Sequence, residues 1–323
     1  MRRRKLGYTE LELSRVGLGT WAMGGPWQFG WGPQDDDDAV ESIFEAMEQG
    51  INWIDTAAVY GCGHSEELVG RALKEMDEEP IVATKCGLLC NERREKVNCL
   101  KRESIMKECE DSLRRLGLER IDLYQMHWGA PDEDIEEAWE AMAELQEQGK
   151  VRYIGVSNFS VSQMERIQKI APVASLQPPY SMLHREVEDE VLGFCAENDI
   201  GVVVYSPIQR GLLTGKFDRK RLASLPDDDH RKRHRDFQEP QFSATLKTVD
   251  RLEGIAESKG ITCAQLAIAW VLRRPEVTAA IVGARKPGQI GETAAAADLV
   301  LADGEIEQIE RFLAERQEMI SRG

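Results

Sequence analysis

The sequence alternates eight times between a short apolar segment, typical of a β-strand, and a longer amphipathic segment, typical of an α-helix. In most of the short segments hydrophobic residues follow one another without alternation, which predicts strands that are buried on both faces. Strands of this kind, separated by helices, assemble into parallel sheets. The predicted strands cover residues 14–20, 51–55, 81–85, 121–127, 151–158, 174–177, 200–206 and 279–284.

The segments between the strands have the periodicity of helices that bury one face. In 36–49, for example, Val40, Ile43, Phe44 and Met47 share one face, and Gly50 can end the helix. Acidic residues at its start complement the helix dipole. Further helices are predicted over 65–75, 103–116, 133–148, 160–170, 186–198, 243–273 and 286–297.

Eight strand–helix units predict an α/β fold, a (β/α)8 TIM barrel that forms a single domain over residues 1–323. A doubly wound sheet is the competing arrangement. It is disfavoured because no G-x-G-x-x-G motif opens a helix after the first strand, and the run GLGTWAMGG lacks that spacing. Three segments lie outside the eight units. We expect residues 2–13 to form an N-terminal hairpin over the N-terminal mouth of the barrel, 303–319 to form an extra helix, and 214–242 to form a long polar loop.

The net charge of −16 argues against nucleic acid and anionic membrane surfaces as partners. The basic run HRKRHR at 230–235 has acidic neighbours, which favours a solvated loop over a nucleic-acid patch. No apolar stretch reaches the roughly 20 residues that a membrane helix needs. No apolar segment typical of a signal peptide follows the basic start of the chain. We therefore expect a cytoplasmic protein.

The seven cysteines show no C-x-x-C spacing, which in a cytoplasmic protein predicts reduced, mostly buried thiols. Cys86 and Cys90 have a spacing that a metal pair could use. No histidine follows at ligand spacing, so we expect no metal site.

Polar residues or glycine stand at the carboxyl ends of seven consecutive predicted strands. In a barrel these ends converge on one rim, which is where enzymes of this architecture place their chemistry. We therefore expect one site that combines Asp55, Lys85, His127, Ser157 with Asn158, Gln177, Tyr205 with Ser206, and Gly283 with Ala284.

The residue types at this rim suit proton transfer to a carbonyl oxygen. Asp55 and Lys85, on adjacent strands, can neutralise each other, which explains a carboxylate at the end of a buried strand. Lys85 can also lie near the phenol of Tyr60, and a nearby cation lowers the pKa of a phenol. Tyr60 then becomes a proton donor, and His127 can hydrogen-bond the same oxygen. Such a site reduces a carbonyl with hydride from a cofactor.

Other rim residues suit a nicotinamide cofactor. The amides of Asn158 and Gln177 match a carboxamide, and Tyr205 offers a ring on which nicotinamide can stack. Gly283, Arg285 and Lys286 precede Pro287 at a predicted helix start, where backbone N–H groups and positive charge favour phosphate. Beside a nicotinamide site this pattern indicates the 2′-phosphate of NADP(H).

The chain resembles the aldo-keto reductase superfamily over nearly its full length. It is most similar to the bacterial general-reductase branch, which is related to the potassium-channel β subunits. The stretches that carry the resemblance occur in the expected order and are GLGTWAMGG, IDTAAVYG.G.SEELVGRAL, ATK, IDLYQMHW, GKVRYIGVSNFS, VYSPIQRGLLTGK and GARKPGQIGET.

The resemblance implies a role for particular residues of this chain. The family's catalytic tetrad falls on Asp55, Tyr60, Lys85 and His127, with tyrosine as the general acid. Thr293 and Gln289 stand where many members have asparagine and arginine. The implied cofactor contacts are Gly19, Thr20 and Trp21, Asp55, the carboxamide contacts Ser157, Asn158 and Gln177, the stacking Tyr205, the pyrophosphate contacts Ser206, Gln209, Gly211 and Lys216, and the adenosine contacts Gly283, Arg285, Gln289 and Glu292.

Together these features predict an NADP(H)-dependent reductase of aldehydes and ketones, with a small-molecule carbonyl as its partner. The alternative, suggested by the channel β subunits, is an NADPH-binding redox sensor or regulatory subunit with little turnover. An aromatic wall for either aryl aldehydes or sugars is predicted from Trp21, Trp27, Phe29, Trp31 and Trp128. The sequence carries no indication of the oligomeric state.

Overall fold

The computed structural model describes residues 1–227 and 229–322 and has a closed barrel of eight parallel strands. Within these residues there are twelve strands. They are β1 (Arg3–Lys5), β2 (Glu12–Ser14), β3 (Val16–Gly19), β4 (Trp53–Asp55), β5 (Ile81–Cys86), β6 (Leu88–Cys90), β7 (Lys96–Asn98), β8 (Ile121–Met126), β9 (Val151–Ser157), β10 (Ser175–Gln177), β11 (Gly201–Tyr205) and β12 (Val277–Gly283).

The barrel closes in the order β3-β4-β5-β8-β9-β10-β11-β12, with β12 pairing back to β3. Helices lie between these strands, so the predicted (β/α)8 barrel is confirmed. The helices of the described part of the chain are α1 (Asp36–Glu48), α2 (His64–Leu73), α3 (Arg102–Leu116), α4 (Ile135–Glu147), α5 (Val161–Ile167), α6 (Val191–Glu197), α7 (Arg219–Ser224), α8 (Gln241–Lys259), α9 (Cys263–Leu272), α10 (Gln289–Ala294) and α11 (Asp303–Arg322).

Local sequence explains where several helices begin and end. The side chain of Asp35 accepts hydrogen bonds from the backbone at the start of α1. Ser160 with Gln163 forms a capping box at α5, and Thr262 with Gln265 forms another at α9. Helix α3 ends at Gly117, which adopts φ 71°. These caps fix the residues at which the helices begin and end, and so the lengths of the connections between helices and barrel strands.

The N-terminal hairpin, β1 with β2, closes the N-terminal end of the barrel as predicted. Tyr8 N donates to Asp199 O, just before β11, at 2.9 Å. A Cβ at Gly17 would overlap the indole of Trp53, so glycine lets this ring fill the barrel. The hairpin leucines and inward residues of the strands form one buried cluster, which is Leu6, Leu11, Leu13, Trp53, Ala83, Leu123, Ala174, Val203, Ala279 and Ile281.

Some predicted elements have different bounds in the structure. Residues 243–273 form two helices, because Gly260 ends α8 and Thr262 caps α9. The segment predicted as helix 186–198 contains a short 3₁₀ turn before α6, and 286–297 contains only α10 and a 3₁₀ turn. The polar loop 214–242 includes α7 and further 3₁₀ turns in its described part. The hairpin β6–β7 was not predicted.

The expectation of reduced cysteines is wrong for Cys62 and Cys90, whose sulfur atoms are bonded in this structure. Their Cα atoms are 5.5 Å apart, within the range of disulfides. The bond joins the turn after β4 to the hairpin β6–β7. The free thiols are Cys86, Cys99, Cys109, Cys195 and Cys263.

Within the described ranges, no helix combines the length and the apolar character needed to span a membrane. Nor do three or more histidine, cysteine, aspartate or glutamate side chains cluster in those ranges as metal ligands would.

A buried carboxyl on α3 makes the stability of the fold dependent on pH. Burial raises the pKa of Glu108 from 4.5 to about 7, although Ser104 Oγ and Gly87 N donate hydrogen bonds to it. Because the pKa is higher in the folded state, the folded protein binds this proton more tightly. The stability it contributes is complete below the unfolded pKa of 4.5 and is lost as the pH rises through about 7.

We therefore expect Glu108→Gln to raise the free energy of unfolding at pH 8.5 by about 1–3 kcal/mol, with a smaller difference at pH 5. The amide has the same shape and can keep both hydrogen bonds. Urea denaturation at the two pH values measures the effect, with the exposed Glu103→Gln on the same helix as the control. An equal change at both pH values would contradict the assignment.

Candidate active site

The carboxyl ends of the barrel strands surround a cavity of about 610 Å³. Parallel strands bring their last residues to the same rim, as the sequence predicted. The residues predicted for the site that line this cavity are Gly19, Trp21, Asp55, Tyr60, His127, Ser157, Asn158, Gln177, Tyr205, Ser206, Gly211, Lys216, Gly283, Arg285, Gln289 and Glu292.

The carboxylate of Asp55 is the centre of a buried hydrogen-bond network. Lys85 Nζ donates to its Oδ1 at 2.6 Å, and Gln177 Nε2 donates to its Oδ2 at 2.8 Å. Gln125 Nε2 donates to the same Oδ2 at 3.4 Å. Lys85 Nζ also donates to Thr56 O at 2.9 Å. The charge at the end of β4 is therefore paired and fully hydrogen-bonded, which is the condition for keeping it buried.

Tyr60 lies above this pair, in the turn after β4. Lys85 Nζ is 3.2 Å from Tyr60 Oη, so the predicted neighbours do meet. Burial and the Asp55 carboxylate together raise the pKa of Tyr60 well above its ordinary value, whereas we expected Lys85 to lower it. Burial also lowers the pKa of Lys85, against the attraction of Asp55. In this protein Tyr60 therefore keeps its proton at neutral pH.

His127 completes the group on the other side of Tyr60. The two rings meet edge to face, with centroids 5.7 Å apart. Burial, with the nearby cations Lys85 and Lys96, lowers the pKa of His127 well below its ordinary value. The imidazole is consequently neutral near pH 7 and can donate one hydrogen bond without carrying a charge.

The turn that carries Tyr60 is held by close backbone packing. Gly61 has φ 60°, and a Cβ there would overlap the carbonyl of Gly24, so this approach requires glycine. Arg94, from the loop of the β6–β7 hairpin, donates to Gly61 O at 3.0 Å. The bond between Cys62 and Cys90 fixes the same turn to the same hairpin. Tyr60 is thus positioned by two neighbouring segments, the loop after β3 and the β6–β7 hairpin.

A second wall, at the ends of β9, β10 and β11, carries the amides and the ring predicted to hold nicotinamide. Asn158 has φ 59° and its Nδ2 donates to His127 O at 3.0 Å. Tyr205 Oη donates to Asn158 Oδ1 at 2.8 Å. Ser157 Oγ donates to Gln177 O at 2.8 Å. The predicted amides and ring therefore share one wall, across from Tyr60.

Positive charge marks the far end of the cavity. The guanidinium of Arg285 donates to Gln34 Oε1 at 2.9 Å and to the carbonyls of Trp31 and Pro33 at 3.2 and 2.6 Å. Among the described residues it forms no ion pair, so its charge is not neutralised. Lys216, in contrast, is paired with Glu292 at 2.7 Å.

Five residues of the predicted site or its phosphate end do not line the cavity, namely Thr20, Lys85, Gln209, Ala284 and Lys286. Thr20 is buried, and its hydroxyl donates to Asp55 O at 3.2 Å. Gln209 is also buried, and its amide donates to Asp236. Lys286 extends toward Asp38, with 3.9 Å between Nζ and Oδ2. Lys85 and Ala284 are buried beneath the cavity wall, and Lys85 Nζ contacts Asp55 and Tyr60 there.

Several residues that line or support the cavity were not predicted from the sequence. Gln125 occupies a polar position in an apolar strand two residues before His127, and this alternation points both side chains to the barrel interior. This pattern in the sequence could have identified Gln125 as a residue of the site. Lys96, Arg210 and His230 line the cavity from loops and a hairpin, where no periodicity identifies them.

Comparison with known proteins agrees with this architecture. The family model described as "Aldo/keto reductase family" matches residues 15–314. A protein named aldo-keto reductase YhdN, from Bacillus subtilis (strain 168), is 43% identical over 285 residues, which cover 87% of this chain and 84% of the relative. The NADH-specific methylglyoxal reductase of Escherichia coli (strain K12) is 34% identical over 320 residues, covering 94% and 96%.

Solved structures give the same result. The glycerol dehydrogenase AKR11B4 from Gluconobacter oxydans superposes with a TM-score of 0.89 at 41% identity, covering 97% of this chain and 95% of that structure. The holo form of the aldo-keto reductase AKR11C1 from Bacillus halodurans superposes with a TM-score of 0.80 at 28% identity, covering 97% and 96%. The chain therefore belongs to the aldo/keto reductase family, whose members use a nicotinamide cofactor in carbonyl chemistry.

Proposed function

We propose that this protein is an NADP(H)-dependent oxidoreductase that reduces aldehydes and ketones to alcohols, with Tyr60 as the general acid. The observation that carries the proposal is the contact of 3.2 Å between Lys85 Nζ and Tyr60 Oη, next to a neutral His127 in a large cavity. This arrangement provides a protonated phenol where the oxygen of a bound carbonyl gains negative charge.

The residues of the chain fit a nicotinamide cofactor. Asn158 and Gln177 offer amide groups for a carboxamide, and Tyr205 offers a ring for stacking. Arg285 and Lys216 line the same cavity toward its other end and suit phosphate groups. When bound, the cofactor supplies the hydride that reduces the carbonyl carbon.

In the proposed reaction, Tyr60 Oη donates its proton to the substrate oxygen. Lys85 Nζ, already hydrogen-bonded to that phenol, stabilises the phenolate that remains. Asp55 balances the charge of Lys85, and neutral His127 orients the substrate oxygen by hydrogen bonding. Removal of water by the aromatic wall strengthens these interactions.

Steady-state oxidation of NADPH with 4-nitrobenzaldehyde tests the proposal. We expect turnover that depends on the aldehyde and on Tyr60. The redox-sensor alternative predicts that NADPH binds without turnover across a broad panel of carbonyls. That result would overturn the proposal.

The preference for NADP(H) is proposed from Arg285, which has no acidic partner among the described residues. Charge-assisted hydrogen bonds contribute about 1.5–3 kcal/mol, so Arg285→Ala should weaken NADPH binding by roughly tenfold or more. NADH binding should change less, although Arg285 also holds the loop at Trp31 and Pro33. Fluorescence titrations with NADPH and NADH measure the two affinities and therefore their ratio.

Lys286→Ala is the matched control, because Lys286 does not line the cavity. It should leave the ratio of NADPH to NADH affinity unchanged. Equal weakening of both cofactors by Arg285→Ala would show that Arg285 does not bind the 2′-phosphate. The NADH-specific reductase among the relatives makes this a necessary test.

A further inference from the structure

Lys96 is a cation on the substrate side of the cavity that the proposed chemistry does not use. It begins β7, and its backbone N–H donates to Gln28 Oε1 at 2.9 Å. Its ammonium lies 5.9 Å from the centre of the Trp128 ring, next to His127 in the chain. The hairpin therefore places a positive charge beside Trp128 and close enough to His127 to lower its pKa.

No carboxylate of the described part of the chain forms an ion pair with Lys96. The cavity lining includes two carboxylates, Asp55 and Glu292, and each is already paired with a lysine. Acidic residues outnumber basic ones by 57 to 41 in the whole sequence. Carboxylates are therefore abundant in this protein, and a shortage of them does not explain why Lys96 has no ionic partner. Its charge is available to a ligand.

Trp27 adds a hydrogen-bond donor on the same side. Its ring lies 6.2 Å from the ring of Tyr60, and its Nε1–H is buried without a partner. An indole N–H can only donate, and an ammonium can only donate. A buried donor left without an acceptor costs free energy, and an acceptor on a ligand would remove that cost.

We infer that Lys96 and Trp27 form a subsite for an oxyanion on the substrate, a carboxylate or a phosphate. The inference rests on the proposed carbonyl reduction and narrows its substrate class to short aldehydes that carry a negative charge. The Lys96 ammonium and the Trp27 N–H are both hydrogen-bond donors, and the ammonium is also positively charged. An oxyanion accepts hydrogen bonds and is negatively charged, so it complements both groups. The cavity provides the aromatic wall for the carbon chain between this group and the carbonyl.

The subsite is distinct from the positive charges proposed to bind the cofactor. Lys216 and Arg285 lie on the loops after β11 and β12, whereas Lys96 lies on β7 and Trp27 on the loop after β3. Tyr60 and His127 lie after β4 and β8, on the same side as Lys96. A substrate whose carbonyl reaches Tyr60 therefore extends its chain toward Lys96.

The test compares charged and neutral aldehydes with NADPH. The carboxylate arm uses 4-oxobutanoate and its methyl ester, and the phosphate arm uses glyceraldehyde 3-phosphate and glyceraldehyde. In at least one arm we expect kcat/KM to be about tenfold higher for the charged aldehyde, the size of one charge-assisted hydrogen bond. The arm with the larger ratio identifies the oxyanion. Because surface charges are screened by salt, the ratio should fall with added NaCl.

Variants assign the preference to the subsite. Lys96→Met should lower the ratio of charged to neutral kcat/KM by about five- to tenfold, and Lys96→Arg should restore most of it. Trp27→Phe, which keeps an aromatic ring but removes the indole N–H, should lower the same ratio by a smaller factor. Lys169→Met, at an exposed position in the turn after α5, is the matched control and should leave the ratio unchanged.

Equal kcat/KM for the charged and neutral members of both pairs would overturn the subsite while leaving carbonyl reduction intact. A charged preference that survives Lys96→Met would also overturn it. Absence of turnover with every aldehyde, neutral ones included, would overturn the proposed function itself and the subsite with it. NADPH titration of each variant separates these outcomes from a loss of cofactor binding.

Discussion

Tyr60→Phe is expected to lower the rate of aldehyde reduction by at least about 100-fold, because general acid–base catalysis commonly contributes about 10²–10⁴-fold. The substitution deletes the hydroxyl that lies 3.2 Å from Lys85 Nζ and keeps the aromatic ring. The fold and NADPH binding should therefore survive. Steady-state NADPH oxidation with 4-nitrobenzaldehyde, together with fluorescence titration of NADPH, measures catalysis and binding separately.

Tyr8→Phe provides the control, since it deletes the same atom from a tyrosine that is 40% exposed in the N-terminal hairpin. Its activity should equal that of the unmodified protein. If Tyr60→Phe retained most of its turnover while NADPH still bound, tyrosine would not be the proton donor. His127, whose ring meets that of Tyr60 edge to face, would then be the leading candidate.

Lys85→Ala should damage both activity and stability. It removes the cation that contacts Tyr60 Oη and leaves the carboxylate of Asp55 buried without its ionic partner. Breaking a buried ion pair in this way typically costs about 3–5 kcal/mol. We therefore expect a fall of about that size in the free energy of unfolding, measured by urea denaturation, and a loss of reduction comparable to that of Tyr60→Phe.

Asp55→Asn separates the two effects of Lys85. The amide carries no charge, and the buried Lys85 that it leaves without a carboxylate can release its proton, because burial already lowers the pKa of Lys85. The loss of stability should therefore be smaller than for Lys85→Ala. Because Lys85 Nζ also donates to Thr56 O, it keeps one hydrogen bond in this variant. A stable Lys85→Ala protein with a normal urea midpoint would contradict the view that the pair is needed to bury Asp55.

The barrel and the strand-end residues were predictable because each depends on local pattern. A strand buried on both faces is recognisable from its apolar run, and parallel strands bring their carboxyl ends together. Asp55, Lys85 and His127 therefore reached one rim by topology alone. The role proposed for Tyr60 needed the further observation that it follows Asp55 by one short turn, which places the phenol over Lys85.

The parts that sequence did not predict depend on contacts between distant segments. Nothing local shows that the hairpin β6–β7 returns over the cavity, and so neither Lys96 nor the pairing of Cys62 with Cys90 was foreseen. The direction of the pKa shift of Tyr60 was also missed. The pKa of Tyr60 is raised by burial, a quantity that belongs to the packed structure, and by the Asp55 carboxylate.

The network around Asp55 has a consequence for how substrate range can change. Lys85, Gln125 and Gln177 bring three further strands to one carboxylate, so the chemical centre belongs to the barrel itself. Trp27 and Lys96, in contrast, lie on a loop and a hairpin outside that network. The same two segments also hold the turn of Tyr60, because Gly24 packs against Gly61 and Arg94 donates to Gly61 O. Exchanging them between relatives should therefore change selectivity and the position of the phenol together, so the two properties are expected to evolve as a unit.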